Sequence, residues 1–278
     1  MSTPVGQALS PANLRIIAFG AHPDDCEYRF GGAAVKFVQA GAAVKFVSVT
    51  NGDAGHQSMA GAQLARTRYA EAQAARERLG ISEYQVMDNH DGELLPTLEL
   101  RRQIIRAIRQ WDADLVLGPR PNDYHPDHRY TAILVQDAAF LVVVPKVVPD
   151  TPPLRKHPVF LYFEDQFQSP APFHPDVAVD IDDVWHTKIA GLDAHASQFY
   201  DWLPSIEGNA AQVPAGADAR RQWLSQTRAA TVSPAVRAAL EQRYGAERAH
   251  CTRHSESFQL CEFGRRASVE ELSELFPK

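Results

Sequence analysis

The sequence predicts an α/β fold: a Rossmann-like parallel sheet with helices on both faces, plus strand and helix additions at the C-terminal end. Three observations carry this. Short apolar and β-branched runs alternate four times with helix-patterned segments over the first 150 residues. The links between them are short, as in repeated βα units. After Pro145 the texture changes, and eight prolines fall within residues 145–175 (145, 149, 152, 153, 158, 170, 172 and 175).

Residues 14–20 (Leu-Arg-Ile-Ile-Ala-Phe-Gly) form the first buried strand, stopped by Gly20. Residues 31–40 follow as a helix closed by Gly41. Residues 43–49 are the second strand, residues 50–61 a polar, glycine-rich loop, and residues 64–79 an Ala/Arg/Glu helix ended by Gly80. A short third strand over 84–87 leads to a helix over 98–111, with Leu98, Ile104, Ile105 and Ile108 at helical spacing. Residues 114–118 are the fourth strand and 130–144 the next helix. Parallel strands with crossover helices are covered on both faces and read as continuous apolar runs.

Beyond the prolines, strands are expected at 159–163 and 177–180. A long helix over 182–200 is capped by Asp182 or Asp183. Residues 204–218 read as a surface excursion. Helices near 219–229 and 234–244, a strand at 257–263 and a short helix at 269–276 finish the chain. With no repeat and no low-complexity block, the expectation is one domain over 1–278, its βα core in 1–150 and an elaboration in 151–278.

Composition narrows the function. Apolar residues make up 45% and charged residues 22%, enough to bury a core. No apolar run approaches the ~20 residues a membrane span needs. Residues 1–11 lack the basic start and apolar block of a signal peptide. The net charge of −6 argues against a general nucleic-acid binder. Three cysteines (Cys26, Cys251, Cys261) without a CxxC pair fit a reducing, cytoplasmic setting. The 11 histidines are the unusual feature.

In doubly wound sheets ligands bind outside the carboxyl ends of the strands. There the first strand delivers Ala21-His22-Pro23-Asp24-Asp25-Cys26-Glu27, and the fourth delivers a segment ending His125-Pro126-Asp127-His128. Neither G-x-G-x-x-G after the first strand nor a P-loop occurs, which disfavours dinucleotide and P-loop chemistry. Pro23 turns the chain sharply, so His22 and Asp25 can converge. With His125 or His128 they make a His₂Asp set with one open position, the catalytic zinc pattern. Asp24 is left as a carboxylate suited to general-base work, and Asp127 as the group that orients one of the histidines. A lone His-Pro-Asp is a turn as readily as a site; two of them at strand ends of one sheet argue for a site.

These motifs, with Gly31-Gly32, Arg68-x-x-Glu71-Ala72, Asp91-Gly92, Asp180-Ile181 and His195-x-Ser197-Gln198, resemble the PIG-L/LmbE-like zinc-dependent de-N-acetylases over roughly residues 14–200. The resemblance implies that His22, Asp25 and His128 bind one Zn²⁺ per chain, with Fe²⁺ or another divalent ion as the alternative. Asp24 is then the base, and His125, paired with Asp127, the acid or oxyanion partner. Arg68 reaches the acetyl or carboxylate end of the substrate, and Asp91 sits at the pocket rim near sugar hydroxyls. Cys26 separates Asp25 from Glu27 where many relatives have Glu directly after the Asp pair, which leaves the role of Glu27 open.

The expected activity is zinc-dependent removal of an N-acetyl group from an N-acetylated amino sugar or glycoconjugate. The alternative is a metal-dependent hydratase, or another amidase acting on a small organic acid, at the same site. A non-haem Fe(II) oxygenase is disfavoured because the facial triad uses His-x-Asp spacing on a jelly-roll. Expected partners are the small-molecule substrate, no nucleic acid and no membrane span; the resemblance adds a homo-oligomer, trimer or hexamer. Substrate choice falls to the loops at 50–62, 88–96, 145–175 and 204–218. His56 reads as a surface polar residue, His195 as a buried hydrogen-bonding element, and His250, Cys251 and His254 as unconnected to a metal.

Overall fold

The computed structural model describes residues 10–278. Seven strands form one sheet: β1 (Arg15–Gly20), β2 (Ala43–Ser48), β3 (Glu83–Val86), β4 (Leu115–Gly118), β5 (Val159–Phe163), β6 (Val177–Asp180) and β7 (Ser255–Leu260). Their order is β3-β2-β1-β4-β5-β7-β6. The first five pair in parallel, and β7 runs antiparallel between β5 and β6. The sheet is therefore mostly parallel, with its mixed part confined to the C-terminal elaboration.

Period-2 alternation distributes the core to both faces. Ile16 and Ala18 of β1 join Phe30, Phe37 and Phe46 on one side. Ile17 and Phe19 join Ile104, Ile108 and Leu134 on the other. Helices α1 (Asp25–Gln39) and α2 (Gly61–Leu79) follow β1 and β2; α3 (Leu98–Trp111) and α4 (Pro126–Leu141) follow β3 and β4. The order of strands reverses between β1 and β4, which makes the crevice beyond their carboxyl ends the topological switch point.

The two helix starts that differ most from expectation both fall on the motifs. α1 begins at Asp25, six residues before Gly31, and α4 begins at Pro126, four before Tyr130. Apolar periodicity does not mark these first turns. Polar signals do: Asp25 and Glu27 complement the dipole of α1. Pro126 occupies the first turn of α4, and His125 caps it by accepting the Asp127 N–H at 3.2 Å. The motifs are thus helix N-termini and not loops.

The long helix expected over 182–200 is broken. α5 (Trp185–Ala194) ends at His195, a π-helical turn spans Ser197–Trp202, and α6 (Leu203–Glu207) follows. Asp182 and Asp183 do not cap it: Asp182 accepts the N–H groups of Arg253 and His254, and Asp183 pairs with Lys36. α7 (Ala217–Thr227), α8 (Pro234–Tyr244), an unexpected α9 (Ala246–Cys251) and α10 (Val269–Leu275) complete the chain. The proline-rich link is organised by one side chain. Buried Arg109 donates to six carbonyl oxygens, of Leu141, Val142, Val144, Val147, Val148 and Thr151. It adds a second donor to the carbonyls at the end of α4 and ties the link to α3.

Candidate active site

At the switch point the chain leaves β1 through a close turn. Gly20 is needed there, because a Cβ on it would lie 2.6 Å from the Cβ of Asp25. Oδ2 of Asp25 accepts the N–H groups of Ala21 (2.8 Å) and His22 (2.9 Å), folding the turn back on itself. Asp24, at the start of α1, holds φ 135°, a conformation costly for a residue with a Cβ.

The turn and the first turn of α4 bring three donor atoms together. Nδ1 of His22 lies 3.2 Å from Nε2 of His128 and 3.6 Å from Oδ2 of Asp25; the remaining side is 3.5 Å. A tetrahedral zinc ion with arms of ~2.1 Å spaces its ligands by about 3.4 Å. The residues fit the ion. The outward nitrogens of both histidines face carboxylates: Nε2 of His22 is 3.0 Å from Asp91 and 3.4 Å from Asp127, and Nδ1 of His128 is 3.1 Å from Asp123. A carboxylate behind a ligating ring favours the proton on that side and leaves the inner lone pair for a cation.

The charges around the site favour a cation. Burial opposes charge on His22 and His128, yet the surrounding carboxylates hold both above the ordinary histidine range. Burial likewise opposes ionisation of Asp25, but His128 and His22 hold it far below the usual carboxylate range. Asp24 moves the other way, pushed up to about 7 by burial and by the neighbouring Asp25 charge. Burial and repulsion from His22 and His128 keep His125 below the ordinary histidine range. Because its Nδ1 accepts the Asp127 N–H, neutral His125 carries its proton on Nε2.

Three expectations need correction. Asp127 is not paired with His125 through its carboxylate. That group is fully buried, accepts the N–H groups of Gly92 and Leu94, and faces His22. The backbone of the capped helix holds His125 instead. Asp91 is not a rim residue: it is buried, with one oxygen toward His22 and the other accepting the Gly55 N–H. His56 is not a surface side chain; its Nδ1 accepts the N–H groups of Ser58 and Met59, and its ring is shielded from solvent.

Sequence reading missed Asp123, although Asn122-Asp123 stands just before His125 in the motif loop. Glu27 and His195 pair at 2.8 Å in full burial, with Tyr84 donating to Glu27. His254 stacks on Trp185, and Cys251 is exposed.

The site opens into a cleft of about 510 Å³. Asp24 and His125 reach it from the strand ends and Arg68 from α2, while Phe167, Trp202 and Arg228 wall it from the C-terminal part. Arg68 is buried and donates to the Gly55 carbonyl at 2.8 Å, while its Nε has no partner. Its neighbour Glu71 holds Ser197.

Residues 17–139 match the family model "PIG-L: GlcNAc-PI de-N-acetylase". Over that segment the chain resembles this family. The chain is 29% identical to the diacetylchitobiose deacetylase of Thermococcus kodakarensis over 195 residues, covering 66% of this chain and 70% of that protein. It is also 27% identical to the 4-oxalmesaconate hydratase of Pseudomonas putida over 210 residues, covering 73% and 78%. The chain superposes on the N,N′-diacetylchitobiose deacetylase of Pyrococcus horikoshii with a TM-score of 0.66, 23% identity and coverage of 91% of this chain and 84% of that one. That likeness establishes the fold. Among the described residues no helix is long and apolar enough to cross a membrane.

Proposed function

We propose that the protein is a metal-dependent N-deacetylase that releases acetate from an N-acetylated amino sugar or glycoconjugate, using a Zn²⁺ ion held by His22, Asp25 and His128. The observation that carries the reading is the triangle of donor atoms 3.2 to 3.6 Å apart, each histidine backed by a carboxylate. An ion held there supplies Lewis acidity toward the acetyl carbonyl and lowers the pKa of water toward ~7.

The chain's own residues supply the rest. Asp24, free of the task of holding either histidine, takes the proton of the attacking water and returns it to the departing nitrogen. His125 donates its Nε2–H to the carbonyl oxygen as that oxygen gains negative charge. This assigns His125 to oxyanion stabilisation and leaves the proton transfers to Asp24. Arg68 orients the acyl end from the cleft wall, and Trp202 and Phe167 provide flat apolar surface suited to a sugar ring. The reaction balances as amide plus water giving amine plus acetate.

The likeness to a hydratase supports a second reading, addition of water to an unsaturated organic acid at the same centre. Zn²⁺-loaded protein should release acetate from N-acetylglucosamine derivatives or N,N′-diacetylchitobiose and leave 4-oxalmesaconate unchanged. Hydration of the acid with no acetate from any N-acetyl sugar reverses the assignment.

A further inference from the structure

We infer that α5 and β7 form a clasp on the N-terminal half of α1, and that Lys188 and Glu256 are positioning residues for the metal site; this rests on the metal-dependent reading above. Both side chains are buried, and Nζ of Lys188 lies 2.6 Å from Oε1 of Glu256. A buried ion pair is weak evidence for stability in itself, so its other contacts carry the meaning. Glu256 accepts the N–H groups of Gly32 (2.9 Å) and Ala33 (2.7 Å), and Lys188 donates to the carbonyl of Tyr28 (2.7 Å). Gly32 N–H and Tyr28 C=O are four residues apart, the two ends of one rung of the helical ladder. The ion pair is set against that rung.

Gly31 faces Lys188, and Gly32 packs against Ile181. A Cβ on Gly31 would sit 3.4 Å from Cγ of Lys188, and one on Gly32 would clash with Ile181 at 2.7 Å. The segment N-terminal to the rung is the turn that carries Asp25 and Glu27 and follows Asp24. It is held a second time by His195, at the end of α5, through Glu27. Lys188 and His195 are seven residues apart, two turns along one helix face. Neither lines the cleft. The C-terminal elaboration thus sets the position of a turn whose side chains belong to the N-terminal motif.

The test is Zn²⁺ affinity of the full chain, measured by chelator competition, together with urea unfolding of the metal-free protein. Lys188→Met/Glu256→Gln removes both charges, so neither is left buried alone. The expected result is a ~10–100-fold loss of affinity, the usual effect of disturbing outer-shell support, with most of it recovered in Lys188→Arg. A folded double variant with wild-type affinity overturns the clasp. Amide hydrogen exchange of residues 26–29 in Glu256→Gln gives an answer independent of metal. Exchange at least tenfold faster there than in wild type upholds the clasp, and unchanged exchange overturns it. A wild type that takes up no Zn²⁺ overturns the reading of the site instead, and the exchange result then decides the clasp alone.

Discussion

The two parts of the sheet are built for different tasks. The parallel part, β3-β2-β1-β4, ends in the histidines and carboxylates of the site, on turns that begin α1 and α4 or on the loop after β3. The mixed part, β5-β7-β6, with α5 to α7, supplies cleft walls (Phe167, Trp202, Arg228) and buried supports (Lys188, His195, Glu256). Even the two motif turns differ. His125 begins its helix with an ordinary cap at φ −83°, whereas Asp24 begins its helix at φ 135°. Strain is concentrated at the proposed base and absent from the proposed oxyanion donor, which suggests that placing Asp24 demanded the greater distortion.

Substitutions can break this division or sharpen it. The largest effect is expected from His128→Ala, which removes one corner of the donor triangle; metal content by elemental analysis should fall from about one ion per chain toward none, with loss of acetate release. Asp24→Asn should keep the metal and lower kcat by ~10²–10⁴-fold, the usual contribution of a general base. A full-rate Asp24→Asn enzyme would remove Asp24 from the mechanism.

His125→Ala should cost ~10²–10³-fold in kcat with little change in metal affinity, as expected for one oxyanion donor. Arg109→Met, at the junction between the two parts, should leave kcat unchanged in the folded protein. It should lower unfolding free energy by ~2–3 kcal/mol, because the carbonyls of Val147 and Thr151 are left without a donor. Urea midpoints measure it.

The smallest effect is expected at Asp182. Burial opposes its charge, but the N–H groups of Arg253 and His254 and the His254 ring hold its carboxyl below the usual range. A depressed folded pKa contributes stability above the unfolded value of ~4 and loses it as pH falls through the folded one. The stability gap between wild type and Asp182→Asn should therefore close as pH is lowered from 7 to 3. A gap that persists at pH 3 would mean that the ionised carboxylate is not its source.

Much of this was legible in the residues. The runs at 159–163 and 177–180 read as strands because each is a short apolar run, and β5 and β6 occupy those bounds. The helix over 98–111 was equally clear, because Ile104, Ile105 and Ile108 keep one face toward the core. The starts of α1 and α4 were obscured because their first turns face the site and carry no apolar periodicity. The break at His195 was hidden for a related reason: its ring is drawn to Glu27, 168 residues away, and no local pattern encodes that contact.

The sequence by itself determined the layered α/β fold and the placement of two His/Asp motifs at strand ends, since both follow from local periodicity and turn chemistry. Which carboxylate stands behind which histidine was decided only in three dimensions. Asp127 turned from His125 to His22, Asp91 moved inward to the same ring, and Asp123 came up behind His128. Side-chain partners across a crevice depend on the register of strands and the angle at which helices leave them, and those are properties of the assembled sheet.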